Sequence, residues 1–314
     1  MKLKRQKKIL ITGGAGFIGS SIVLQLENTY DITCLGRGKG FSKLKQFTNK
    51  NVSFVVGDIN DEALLDKQVK TADSIIHLVG GGGNALCIKD PLWALNTHIR
   101  GTSILTKLAT KHKVKKFVFA STYQLYGSSD NKQSIKETAS LNPKSFYASL
   151  KSIAEKIIID SGLNYSIVRL ANVYGYSPIY TLQSAGAINN FIRACLDGTS
   201  IKINGTGKQY TDYIHIQDAT NAIISILKKG SSKSIYNIGS GKLIRIHALT
   251  KIVQDVCKKL YNKNIQIKKI KRSDAMSQDV VQMSIQKVSK EFKWKPNISL
   301  ETGIAELMAK NKAL

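Results

Sequence analysis

Short apolar runs alternate with longer stretches of helical period along the first half of the chain. Ile9-Leu10-Ile11-Thr12 reads as a buried strand. A glycine-rich turn follows, from Gly13 to Gly19. Phe17, Ile18, Ile22, Val23 and Leu26 then recur at helical spacing. Further apolar segments at 32–35, 53–56, 75–79, 117–120 and 165–170 read as five more strands, and a long helical stretch covers 92–112. Asn142-Pro143 reads as the cap and first position of a helix running to Asp160, with Gly162 as its C-terminal stop.

Strands that alternate with helices form a parallel sheet covered on both faces, so the expected fold is a doubly wound α/β sheet. Beyond Tyr174 the order is less regular. A first domain over 1–174 is therefore expected, with a returning segment near 213–238 and a strand near 235–238. A smaller second domain is expected over the remainder of 175–314.

The 314 residues are 42% hydrophobic, enough for a core and too many for a disordered chain. Formal charge is +26. The basic residues do not cluster in one stretch and no aromatic-rich RNA-binding motif interleaves with them, so no nucleic-acid partner is expected. The lysines read as solvated, with a field that steers anionic substrates. No apolar run of about 20 residues spans a bilayer, so no membrane partner is expected. The basic start MKLKRQKK precedes an apolar stretch, but glycines interrupt that stretch and no cleavage site follows. Cys34, Cys87, Cys195 and Cys257 show no C-x-x-C spacing, which leaves free thiols in a reducing cytoplasm and no metal site.

The turn Gly13-x-x-Gly16-x-x-Gly19 has a specific physical use. Gly13 permits a tight turn, Gly16 lets backbone amides approach a pyrophosphate, and Gly19 lets the helix pack against the strand. The helix start adds free N–H donors for the anion. Gly13, Gly16, Phe17, Ile18 and Gly19 thus form a candidate dinucleotide cradle. At the end of the second strand, Leu35-Gly36-Arg37-Gly38-Lys39 lacks the acid that hydrogen-bonds the ribose of NAD. Arg37 fits a 2′-phosphate instead, so NADP is favoured over NAD. Asp58 and Ile59 follow the third strand, where the carboxylate can accept from an adenine amine.

Tyr147 and Lys151 lie four residues apart on the helix after Pro143, hence on one face. A phenol ordinarily ionises near pH ~10, and a close positive charge lowers such a value by about 1–3 units. An ammonium beside Tyr147, joined by an oxidised nicotinamide, brings the phenol into range for acid/base work on an alcohol or ketone.

With these motifs in place, the chain resembles the extended short-chain dehydrogenase/reductases, in their nucleotide-sugar epimerase/dehydratase group. The resemblance rests on T-G-G-A-G-F-I-G at 12–19, K-F-V-F-A-S-T-Y-Q-L-Y-G at 116–127 and Y-A-S-L-K at 147–151. V-R-L-A-N-V-Y-G at 168–175, Y-N-I-G-S-G at 236–241 and W-K-P at 294–296 extend it over nearly the whole chain. It implies that Thr122 shares charge with the sugar oxygen, Tyr147 is the acid/base, and Lys151 binds the nicotinamide ribose and lowers the phenol. It further implies a nucleoside-diphosphate sugar as substrate in the smaller C-terminal domain, Asn172 at its pyrophosphate, and a homodimer through the helices near 92–112 and 143–160.

The departures from the family pattern narrow the reaction. Dehydratases of this group carry an Asp-Glu pair where this chain has Tyr123-Gln124, and the related decarboxylases use Glu at position 124. What remains is hydride transfer alone: a C4-epimerase, or alternatively an NADPH-dependent 4-ketoreductase or the reverse 4-dehydrogenase. The intact Thr122, Tyr147 and Lys151 weigh against a non-catalytic cofactor sensor. Thr211 stands where the family has a phosphate-binding Arg, so Lys208 and Arg272 are the candidate replacements. Glycines 80–83 follow His77 where alanines are usual, and His98 replaces a usual Asn.

Overall fold

The computed structural model describes residues 6–81, 83–127, 134–180, 182, 186–270 and 281–312. Seven strands form the main sheet: β1 (Lys8–Thr12), β2 (Asp31–Gly36), β3 (Val52–Val56), β4 (Ser74–His77), β5 (Lys116–Thr122), β6 (Tyr165–Leu170) and β11 (Ser234–Ile238). All are parallel, in the order β11-β6-β5-β4-β1-β2-β3. The chain starts in the middle, winds outward to β3, then returns past β1 in the other direction. That reversal places a crevice beyond the carboxyl ends of β1 and β4.

Alternation along each strand feeds two cores. Ile9, Ile11, Val118, Ala120, Val168 and Tyr236 face one side, against helices Phe17–Leu26 and Ile216–Lys229. Leu10, Ile75, Phe117, Phe119 and Ile167 face the other, against helices Glu62–Val69, Gly101–Lys111 and Phe146–Asp160. Both faces are dry, as a parallel sheet requires. The expected doubly wound sheet is therefore present, and β11 joins its edge by pairing with β6.

A third core lies on the C-terminal side, where Ile188, Phe191, Leu249, Val253 and Ile304 come together. Paired short strands accompany it: β7 (Asn172–Tyr174) with β10 (Tyr213–His215), β8 (Ile201–Asn204) with β13 (Ile267–Ile270), and β9 (Tyr210–Thr211) with β12 (Ile244–Arg245). Among the described residues no helix is long and apolar enough to cross a membrane.

One expectation about helices needs correction, and a second gains a detail, the helical stretch over 92–112 being present. The helix placed at Asn142-Pro143 begins instead at Phe146, because Ser145 is its cap and accepts from the Ala148 N–H at 3.2 Å. The stretch 92–112 is not one α-helix. Asn96–Arg100 forms a π-turn between Pro91–Leu95 and Gly101–Lys111, with the Gly101 N–H bonded to Asn96 O. Such one-residue insertions are rare and concentrate at functional sites.

A buried ion pair fixes the helix Phe146–Asp160 to the sheet. Arg169 on β6 donates to both carboxylate oxygens of Glu155, at 2.7 and 3.1 Å, and also to the Tyr126 hydroxyl at 2.9 Å. Both charges are almost fully buried, so each depends on the other.

The glycine turn shows why side chains are excluded. Gly13 sits at φ +73°, and a Cβ on Gly19 would lie 2.3 Å from Gly13 O. Gly19→Ala therefore forces the helix away from the turn. Overpacking of this kind costs about 1–3 kcal/mol, and thermal unfolding should show a lowered midpoint; an unchanged midpoint contradicts the close-approach account.

Candidate functional site

The turn Gly13–Gly19 opens one end of a cavity of about 490 Å³ at the sheet's crevice. Gly13, Gly16, Phe17, Ile18 and Gly19 all line it, together with Arg37, Asp58 and Ile59. Eight of the predicted cofactor residues are thus brought together. A Cβ on Gly16 would come within 2.9 Å of Gly13 O, so the backbone there is bare by necessity. The helix that starts at Phe17 has no capping side chain and no acid in its first turn. Its free amides suit an anion, and the cradle fits a dinucleotide pyrophosphate.

Further along the cavity, Arg37 holds its guanidinium 6.0 Å from the centre of the Trp93 ring. Asp58 uses one carboxylate oxygen on the Asn60 amides, at 2.8 and 2.7 Å. Ile59 is buried under Gly101, where a Cβ would lie 2.6 Å from its side chain. Trp93, Leu86 and Tyr180 also line the cavity, and periodicity did not single them out. Tyr180 lies in an irregular segment far along the chain and reaches the turn by an edge contact to Phe17 at 6.1 Å.

Lys151 is buried, and its Nζ donates to Ala120 O at 2.9 Å. Ala120 itself lines the cavity floor. Burial pulls the Lys151 ammonium down to about 8, with the Glu155 carboxylate partly opposing the fall. One turn earlier, Tyr147 packs its ring against His98 at 5.6 Å and 79°, and its N–H donates to Asn84 Oδ1 at 3.3 Å. The expected lowering of the phenol is not produced by the protein's own groups. Burial pushes Tyr147 up, and Cys87 and Tyr123 push in the same direction. The physical reason is that burial strips water from the phenolate, and neither neighbouring group favours the charged form.

Thr122 is the last residue of β5 and is buried. Its Oγ1 accepts from the Gln124 N–H at 3.3 Å, which caps the short 3₁₀ turn Tyr123–Tyr126 and leaves its own hydroxyl proton to donate. His77, at the end of β4, is held between Thr12 Oγ1 at 2.6 Å and Thr102 Oγ1 at 3.0 Å. Burial brings it down to about 3, so it is neutral.

A second cavity of about 280 Å³ shares Phe17 and Tyr180 with the first and is lined by Asn172, Asn189 and Tyr213. Asn172 Nδ2 donates to Thr211 Oγ1 at 2.7 Å, to Tyr123 Oη at 3.2 Å and to Asp212 O at 3.2 Å. Thr211, in place of the family's Arg, therefore acts as an acceptor for Asn172. Lys208 is exposed on the turn after β8 and lines neither cavity. Arg272 lies outside the described residues. Among the described residues no cluster of His, Cys, Asp and Glu is able to hold a metal ion.

The comparisons agree with this geometry. The model of the NAD dependent epimerase/dehydratase family matches residues 9–239. A curated dTDP-D-glucose 4,6-dehydratase of Dictyostelium discoideum is 31% identical over 82% of this chain, and the chain spans 62% of that protein's length. The solved UDP-glucose 4-epimerase of Thermotoga maritima with UDP-glucose superposes with TM-score 0.85 at 28% identity, over 96% of this chain and 97% of that one. The dTDP-glucose 4,6-dehydratase of Bacillus anthracis in complex with NAD gives TM-score 0.83 at 25% identity, over 96% of each chain. A glycine turn that lines the cavity, a Tyr-x-x-x-Lys helix whose Lys151 reaches the cavity-lining Ala120, and a family match over residues 9–239 lead to one conclusion: this chain belongs to the NAD dependent epimerase/dehydratase family.

Proposed function

We propose that the protein is an NAD(P)-dependent nucleoside-diphosphate-sugar oxidoreductase that inverts or reduces a sugar carbon, with C4-epimerisation as the reaction. The bound dinucleotide supplies a hydride acceptor and donor. Tyr147 moves the proton of the sugar hydroxyl, Thr122 donates to the same oxygen, and Lys151 holds the ribose and adds positive charge. Gly13, Gly16 and Gly19 hold the pyrophosphate, and Asn172 faces the sugar nucleotide from the second cavity. The substrate's diphosphate is drawn by the positive field of a chain with charge +26.

The observation that carries this reading is the pair that follows Thr122 on the 3₁₀ turn Tyr123–Tyr126: Tyr123 and Gln124, neither of them a carboxylate. Dehydration needs a second acid/base to remove a C5 proton and expel water, and Tyr123-Gln124 holds no such pair. A second reading, an NADPH-dependent 4-ketoreductase, is favoured by Arg37 at the cavity rim in place of an acid. A homodimer is part of the proposal. Leu92 is 73% exposed and Ile153 is 48% exposed, on the two helical segments expected to pair.

Three measurements test it. Tyr147→Phe should retain dinucleotide binding while interconversion of UDP-glucose and UDP-galactose falls by about 10²-fold; near-normal turnover rejects Tyr147 as the acid/base. Arg37→Ala should weaken NADPH binding far more than NADH binding, and equal losses reject the 2′-phosphate role.

The third is a pH dependence of stability. The folded chain holds Lys151 at about 8 against an ordinary 10.5. Between those values the unfolded chain binds more protons, so stability rises with pH across that window. Lys151→Met should lack this rise when urea unfolding is followed from neutral to alkaline pH. Identical pH profiles for the two proteins contradict a buried Lys151 ammonium.

A further inference from the structure

His98 sits at the middle of the π-turn Asn96–Arg100 and is 2% exposed. Four groups surround its ring. Tyr147 meets it edge-on at 5.6 Å, and Trp93 does so at 6.3 Å. Cys87 Sγ lies 3.8 Å from Nε2. On the remaining side is Gly80, where a Cβ would fall 2.5 Å from Cε1 and 2.6 Å from Nδ1. Gly80 is also at φ +107°, so both its backbone conformation and the space taken by the imidazole exclude a side chain.

The arrangement ties together parts that are distant in sequence. Gly80 and Trp93 line the large cavity, whereas Tyr147 belongs to the helix Phe146–Asp160. The imidazole is the wedge between them. In a regular α-helix the insertion of one residue is absent, and the residues after it would be rotated by about 100°. The π-turn thus sets which side chain meets the phenol ring. Burial and the nearby Lys151 charge bring His98 down to about 3, so it adds bulk and a weak hydrogen-bonding partner for Cys87, but no charge.

We propose that His98 is a positioning residue, whose ring, seated over Gly80 and backed by Cys87, holds the Tyr147 ring in the single orientation from which its hydroxyl works. The inference rests on the reading of Tyr147 as the acid/base. It acts through Tyr147 and makes no claim on the substrate. Misplacement of a reacting group by about 1 Å lowers rates by about 10²-fold, so loss of the wedge has a measurable effect on turnover.

The test uses the full chain loaded with NAD and assayed on UDP-glucose and UDP-galactose. His98→Ala should lower kcat by about ten- to a hundredfold, with KM close to wild type. In a Tyr147→Phe background, the same change should have no further effect on the residual rate. A His98→Ala enzyme with unchanged kcat overturns the proposal, and so does an equal further loss in the Tyr147→Phe background. If His98→Ala does not fold, His98→Asn carries the same two measurements, because its amide keeps a partner for Cys87 while giving up the ring contact.

If wild-type protein leaves both sugars unchanged, the proposed reaction fails by itself. Crystal structures of wild type and the His98 variant then decide the inference. A Tyr147 ring that shifts or takes several rotamers in the variant supports it, and a ring that stays in place overturns it.

Discussion

The site depends on one stripe of a single helix. Tyr147, Lys151 and Glu155 follow at intervals of four residues on Phe146–Asp160, hence on one face. Two of the three are anchored in the sheet beneath. Lys151 reaches the Ala120 carbonyl on β5, and Glu155 pairs with Arg169 on β6. A buried ion pair is poor evidence of net stability, but loss of either member leaves an uncompensated charge. The helix is therefore held in one register along its axis. That register decides how far the Tyr147 ring stands from the end of β5, where Thr122 closes the strand.

Polar groups around this stripe are arranged to stay neutral. His77 and His98 are both brought down to about 3, and the Lys151 charge contributes to each shift. The thiol of Cys87 is pushed up by burial. Lys151 stands one helical turn after a phenol that burial holds in its protonated form. In the proposed reaction a protonated phenol is suited to donate, and proton abstraction would need added positive charge, which an oxidised nicotinamide would supply when bound.

Local signals made much of this legible in the sequence. The strand-turn-helix around Gly13–Gly19 combines period, glycine spacing and apolar runs, and all of its named residues line the cavity. The strand near 235–238 has only two separated Ile residues in its favour, and pairing with β6 is what makes it part of the sheet. Other features depend on packing. A Pro at 143 signalled a helix start that Ser145 makes three residues later, because only the cap geometry distinguishes two such candidates. The π-turn has no periodic signature over five residues. Trp93 and Tyr180 reach the cavity through tertiary contacts that no local spacing announces. The Tyr147 phenol is the instructive case: spacing put Lys151 on its face of the helix, while the burial that pushes the phenol up is invisible in spacing.

Hydride transfer at one sugar carbon, with Tyr147 as the only acid/base, is the claim on which the account turns. The most direct measurement follows isotopes in the product when C4-deuterated UDP-glucose is incubated with the NAD-loaded protein in ordinary water. The account predicts that the deuterium is retained at C4 in both epimers and that C5 exchanges no hydrogen with solvent. Solvent hydrogen appearing at C5, with loss of water from C6, would contradict it and place the enzyme among the dehydratases.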